Sequence, residues 1–219
     1  MDGNLNQEKL RQFYDHFGAK QDAQGFYEDA ALDALVRLGG FEGAQSVFEI
    51  GCGTGKFADR LLTRYLPPTA KYVGIDLSAT MVQLTRTRLA RWELRAEVKQ
   101  SDGGFDFSSL GGPFDRIVCT YVFDLMSPAQ IEAALAGAHS VTRTGGLLCS
   151  AGLTRGIGPF SRTTSRLWTF VHRLNPYLVG GCRPLELADF LSERDWRLTR
   201  REVVVAATVP SEVITAEPL

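Results

Sequence analysis

The chain has 219 residues, enough for one domain with a sizeable core. Its 24 Lys and Arg against 25 Asp and Glu leave a formal net charge of −1, so no overall field draws it to nucleic acid. The four cysteines, Cys52, Cys119, Cys149 and Cys182, form no C-x-x-C pair, which argues against a metal or disulfide framework and for a reducing compartment.

In chain order, Leu5, Leu10, Phe13, Tyr14 and Phe17 predict an amphipathic helix ending near Gly18. A second helix is expected over residues 26–38, stopped by Gly39 and Gly40. The opening residues lack the basic start and apolar stretch of a signal peptide, and no apolar run is long enough to span a bilayer; a cytoplasmic setting is the expectation. Residues 47–56, Val-Phe-Glu-Ile-Gly-Cys-Gly-Thr-Gly-Lys, organise everything after them. Val47, Phe48 and Ile50 read as an apolar strand. Lys56 opens a helix that carries Phe57, Leu61, Leu62 and Tyr65 inward until Pro67 and Pro68 stop it. Between them lies Gly-x-Gly-x-Gly, at Gly51, Gly53 and Gly55, where missing Cβ atoms permit positive φ and let a ligand approach the backbone. The third glycine comes one residue too early for the dinucleotide fingerprint, which counts against an NAD(P)-linked oxidoreductase. Residues 71–77 read as a second strand carrying Asp76 near its end. In a doubly wound sheet an acid there faces the same crevice and can take both ribose hydroxyls.

Together, E-x-G-x-G-x-G from Glu49 and G-x-D ending at Asp76 resemble the class I S-adenosylmethionine-dependent methyltransferases, over roughly residues 47–153, and within them the small-molecule and lipid type similar to the ubiquinone-biosynthesis methyltransferase-like group. The resemblance implies an α/β fold with a doubly wound, seven-stranded, mostly parallel sheet in the order 3-2-1-4-5-7-6. It implies one domain divided into lid helices (1–44), a cofactor-binding core (45–153), an acceptor-side helical segment (154–194) and C-terminal antiparallel strands (195–219). The cofactor it implies is S-adenosyl-L-methionine, with S-adenosyl-L-homocysteine as product. The residues carried over to hold it are Tyr14, Lys20, Glu49, Gly51, Cys52, Gly53, Gly55, Asp76, Leu77, Met81, Asp102, Gly103 and Thr120. Within that set Lys20 would pair with the methionine carboxylate, Met81 would touch adenine, Asp102 would accept from the adenine amine, and the Gly103 amide would meet a ring nitrogen. Each also has a plainer reading: a solvated lysine, a core methionine, a turn-forming Asp-Gly pair, and tyrosines packed on the sheet.

Ser78 is a plausible N-cap for the helix that follows Asp76, and its run of Arg86, Arg88, Arg91 and Arg95 reads as a solvated face. A third strand is expected over 94–100 despite its charges, and a strong buried one over 114–123. Ser127, Pro128 and Gln130 write a capping box at a helix start. Residues 147–153 supply a fifth strand. Residues 196–207 and 211–218 supply the last two, with Pro210 at their turn.

No Asn/Asp-Pro-Pro-aromatic motif follows residue 119, no Pro-Cys pair supplies a cytosine nucleophile, and no Asp-Asn pair completes a magnesium site. What remains is a small-molecule or lipid-like acceptor, with no nucleic-acid partner and no bound metal. Residues 154–183 hold five arginines and no acid, with Phe160, Trp168, Phe170 and Tyr177 interleaved. That composition suits a wall for an anionic acceptor, an ordinary amphipathic helix, or peripheral contact with an anionic membrane. Phe26, Tyr27, Tyr121, Arg166, Trp168, Tyr177 and Arg183 are the candidate substrate-binding residues; Tyr121, Asp124 and His172 are candidate bases. The alternative reading is a methyltransferase-like protein that binds the cofactor without transferring its methyl group.

Overall fold

A computed structural model describes residues 7–18, 21–22 and 25–219. The expectation for Lys20 lies outside the described residues. The elements, in order, are α1 (Gln7–Phe17), α2 (Gly25–Gly39), β1 (Ser46–Ile50), α3 (Lys56–Arg64), β2 (Lys71–Asp76), α4 (Ala79–Leu89), β3 (Ala96–Gln100), β4 (Phe114–Thr120), α5 (Pro128–Val141), β5 (Thr142–Leu153), α6 (Pro159–Leu174), β6 (Trp196–Ala206) and β7 (Val209–Pro218).

The seven strands form one sheet in the order β3-β2-β1-β4-β5-β7-β6, as the resemblance implies. Strands β1 to β5 pair in parallel, and β7 runs antiparallel between β5 and β6. The sheet separates two apolar layers. Val47, Tyr72, Val118 and Cys149 pack with α2, α3 and α4 on one face; Phe48, Ile50, Ile117, Leu148 and Ile214 pack with α5 on the other. β1 therefore buries both faces, as a central parallel strand must. β3 is an edge strand, which accounts for its charges: Glu97 is exposed and only Val98 is buried.

Three local expectations need correction. β4 ends at Thr120, three residues early, because Tyr121 takes a left-handed backbone with φ +55° that no strand can continue. Pro210 is not the last hairpin's turn. Ala207 and Thr208, with φ +47° and +68°, make a two-residue turn of the kind that suits twisted strands, and Pro210 sits inside β7 opposite Val205. The arginines around α4 are fasteners rather than a solvated face. Arg88 pairs with Asp22 at 2.7 Å, Arg91 with Asp59 at 2.7 Å, and Arg95 donates to the carbonyls of Pro67 and Leu62.

Candidate functional site

The parallel register builds the site. Ile50 of β1 lies opposite Ile75 of β2 and Cys119 of β4, so the residues that follow, Gly51, Asp76 and Thr120, emerge side by side at the strands' C-terminal ends. The order of the sheet reverses between β1 and β4, and in doubly wound sheets that reversal opens a crevice. Here the crevice is a cleft lined by Gly51, Gly53, Asp76, Leu77, Ser78, Met81, Ser101, Gly103, Phe105, Thr120 and Tyr121, with α1 across its mouth.

Gly51 and Gly53 take φ of +71° and +54°. A Cβ on Gly51 would lie 2.4 Å from Val122 Cγ2, so packing as well as backbone conformation requires glycine there. The Asp76 carboxylate accepts from Gly53 N through Oδ2 and from Ser78 N through Oδ1, both at 2.9 Å. Those two amides fix its orientation and leave further lone pairs toward the cleft. Burial pushes its pKa up to about 6, against the pull of the two amides. Ser78 is the N-cap of α4: its Oγ accepts from Met81 N at 3.1 Å and donates to Asp15 Oδ1 at 2.6 Å, which ties α1 to α4.

The other expected cofactor residues divide into two groups. Tyr14, Leu77, Met81, Gly103 and Thr120 border the cleft. Glu49, Cys52 and Gly55 do not; they brace the glycine turn from behind. Glu49 is only 1% exposed and accepts from Tyr72 Oη at 2.6 Å, and burial pushes its carboxyl up to about 8. Cys52 and Gly55 both pack against Thr85, whose Oγ1 donates to Gly53 O at 2.6 Å. Asp102 also falls outside the cleft. Its Oδ1 accepts from Gly104 N at 2.8 Å, the two-residue turn that Asp-Gly pairs favour, and its neighbours Ser101 and Gly103 make the wall instead.

Of the three candidate bases, Tyr121 alone lines the cleft. Its Oη lies 2.9 Å from Ser211 Oγ, and burial raises its pKa, so it stands there as a neutral hydroxyl. Asp124 is turned into the core, 2% exposed, where Oδ2 accepts from Leu153 N at 2.6 Å and burial holds it up to about 8. His172 is buried on the inner face of α6 with Nε2 3.1 Å from Gly181 O, and burial lowers its pKa. The substrate candidates scatter. Tyr27 is buried and makes edge contacts with Tyr121 and Trp168, at 5.8 and 6.1 Å between ring centres. Trp168 donates to Cys182 O, Tyr177 leans on Phe13, and Arg183 donates to Met126 O at 2.7 Å. Phe26 points to solvent, and Arg166 lines a separate surface groove with Arg155, Glu186 and Arg201.

The structure adds residues that the sequence pattern did not single out, chiefly Gln7, Arg11 and Gln21. Gln7 Nε2 donates to Gly103 O at 2.9 Å. Gln21 Oε1 is buried beside Gly53 and has no hydrogen-bond partner among the described residues. Polar residues on an amphipathic helix ordinarily read as solvent-facing, so only the docking of α1 reveals Gln7 and Arg11, and Gln21 lies in the segment that follows it.

A family model described as a methyltransferase domain matches residues 47–146. The core thus matches a methyltransferase domain, on the sheet order of the class I S-adenosylmethionine-dependent methyltransferase fold. Among curated relatives, a malonyl-[acyl-carrier protein] O-methyltransferase of Geobacter sulfurreducens is 28% identical over 149 residues, 67% of this chain and 54% of that one. A tRNA N(3)-methylcytidine methyltransferase, Mettl2 of Drosophila melanogaster, is 32% identical over 109 residues, 48% of this chain and 33% of that one. The chain thus spans a third to about half the length of these relatives. Among solved structures, magnesium protoporphyrin IX methyltransferase from Synechocystis PCC 6803 with bound S-adenosylhomocysteine superimposes with a TM-score of 0.62 at 18% identity, covering 86% of this chain and 80% of that one. The methyltransferase core meets such a cofactor on chemical grounds as well. The Gln21 oxygen, without a partner among the described residues, can accept from an ammonium, Asp76 from a ribose diol, and Ile50, Ile75 and Met81 offer an apolar floor. Among the described residues no helix is long and apolar enough to cross a membrane.

Proposed function

We propose that this chain transfers the methyl group of S-adenosylmethionine to a small-molecule or lipid-like acceptor, with the cofactor held at Gly51, Gly53, Asp76, Leu77, Met81 and Gly103. The observation that carries the reading is the Asp76 carboxylate, locked by two backbone amides at the edge of a cleft that a glycine turn leaves open. Bound there, S-adenosylmethionine would supply an activated sulfonium methyl group, with S-adenosylhomocysteine as the leaving thioether.

The chain's own residues then position and desolvate. Asp76 accepts from the ribose hydroxyls, Gln21 Oε1 from the amino group, and Gly51 and Gly53 allow the backbone to close in without a side chain between. Tyr121 and Thr120, at the end of β4, line the same cleft and meet the acceptor in this reading. Alignment of this kind supplies much of the acceleration when the leaving group is already activated. With Asp124 and His172 engaged elsewhere, an acceptor that ionises on its own, such as a carboxylate, suits the site better than one that needs a strong base. The near-neutral net charge supports a small acceptor over a polynucleotide.

The test is transfer of a labelled methyl group across a panel of free carboxylic acids, acyl thioesters, lipid extracts and tRNA. Label in a carboxylate or lipid fraction supports the reading. Label confined to tRNA, or binding of cofactor with no transfer to any acceptor, overturns it.

A further inference from the structure

Helix α6 is built inside out. Its inward face carries Ser161, Ser165 and His172, all buried, together with the half-buried Trp168. Its outward face carries Phe160, Leu167, Phe170 and Leu174, which are 82%, 61%, 58% and 70% exposed. At 3.6 residues per turn these positions fall on one stripe along the helix. Ile157 and Leu178, just beyond its two ends, are exposed as well. An apolar stripe turned to water marks a contact surface.

Along one flank of the stripe runs a second row, Arg162, Arg166 and Arg173, all exposed. Residues 154–183 contain no acid, and Glu186, the acid that approaches from the next segment, pairs with Arg155 and Arg201 rather than with this row. The face is therefore apolar along its crest and cationic along one side.

We infer that α6 seats this protein on an anionic lipid bilayer, with the apolar stripe in the acyl boundary and the arginine row among the headgroup phosphates. Charge complementarity selects this occupant. A second copy docked antiparallel, about a two-fold axis lying across α6, would set one acid-free arginine row close to its twin, which repels. An anionic bilayer accepts the apolar stripe and meets the row with negative charge, the arrangement of an interfacial helix. The placement also joins the docked helix to the cleft wall through packed rings. Trp168 on the inner face of α6 touches Tyr27, and Tyr27 touches Tyr121 at the cleft wall. Docking goes beyond the proposed methyl transfer and is measured without cofactor or acceptor, so the two can fail separately.

The experiment floats the full chain with vesicles of phosphatidylcholine alone and with vesicles rich in phosphatidylglycerol, at low and high salt. The expected result is binding to the anionic vesicles at least about tenfold tighter than to the neutral ones, weakened by salt. Two variants, Phe160→Ser/Leu167→Ser/Phe170→Ser and Arg166→Gln/Arg173→Gln, should each lose about tenfold or more while their circular dichroism matches the parent. Should the apolar triple variant fail to fold, the arginine pair, which changes only exposed cations, still decides. Absence of vesicle binding, variants that bind like the parent, light scattering in which the triple variant turns a dimer into a monomer, or retention on an acidic carrier protein with none on vesicles would each overturn the inference.

Discussion

Replacing Asp76 by asparagine tests the centre of the site with little change in volume. Each carboxylate oxygen accepts from one backbone amide, Gly53 N or Ser78 N, at 2.9 Å. Asparagine can keep one of these bonds, but its NH2 must then face the other N–H, and no negative charge remains for the ribose hydroxyls. Hydrogen bonds to a charged group contribute about 1.5–3 kcal/mol, so the cofactor's Kd should rise by about 10- to 150-fold. A second signature comes from the raised pKa. With the carboxyl held up to about 6, only its ionised form offers acceptors to both hydroxyls. Parent affinity should therefore be full near neutral pH and fall as pH drops through about 6, by at most about tenfold per unit, while the asparagine variant stays flat. Calorimetric titration with S-adenosylhomocysteine between about pH 5 and about pH 8 reads both effects, provided that each variant's melting curve shows it folded. An unchanged Kd in the variant, or a parent affinity indifferent to pH, would refute the assignment of Asp76 to the ribose.

Glu49→Gln probes the brace behind the turn. A carboxyl raised from 4.5 to about 8 stabilises the fold at low pH and loses that contribution as pH rises to about 8, so the neutral variant should match the parent near the lower value, melt at progressively higher temperature than it as pH rises to about 8, and hold a constant lead above that. A difference in Tm that ignores pH would show that Glu49 is ionised throughout. Gly51→Ala should cost about 2–4 kcal/mol in urea unfolding, from the left-handed φ and the contact with Val122 together, and adding Val122→Ala should recover only the steric share. Tyr121→Phe removes the bond to Ser211 and should cost about 0.5–1.5 kcal/mol of stability with cofactor affinity unchanged. The cleft encloses about 120 Å3, below the roughly 300 Å3 at the small end of ligand pockets, and Gln7 and Gln21 narrow it. Cofactor binding should therefore alter amide exchange across residues 7–17, and identical exchange with and without it would show α1 to be a fixed wall.

The sheet and the cofactor side of the cleft were legible because both follow from short-range rules. Apolar runs such as Val47–Phe48–Ile50 declare buried parallel strands, and parallel register then brings Gly51, Asp76 and Thr120 to one edge whatever the rest of the chain does. Capping follows the same logic, since the Ser127, Pro128 and Gln130 pattern specifies its own helix start. Where local chemistry had two outlets, the sequence could not choose between them. The Asp102 carboxylate satisfies Gly104 N rather than facing the cleft. The end of β4 depended on a left-handed tyrosine that no propensity rule favours.

The acceptor side was illegible for a different reason. An arginine-rich helix with interleaved aromatics invites the assumption that its rings turn inward and its serines outward, and α6 does the reverse. Once it is inverted, Arg166 and the exposed rings leave the cleft, while Asp124 and His172 serve as buried ties for Leu153 N and Gly181 O. What lines the rest of the cleft is α1 and the end of β4, with Tyr14, Thr120 and Tyr121. Of these, Tyr14 is held by Gly180 O at 3.2 Å and Tyr121 by Ser211, so the loop after α6 and the start of β7 set the shape of that wall from behind. The shape of the cleft is therefore coupled to how α6 and its following loop are seated, even though no side chain of α6 lines it.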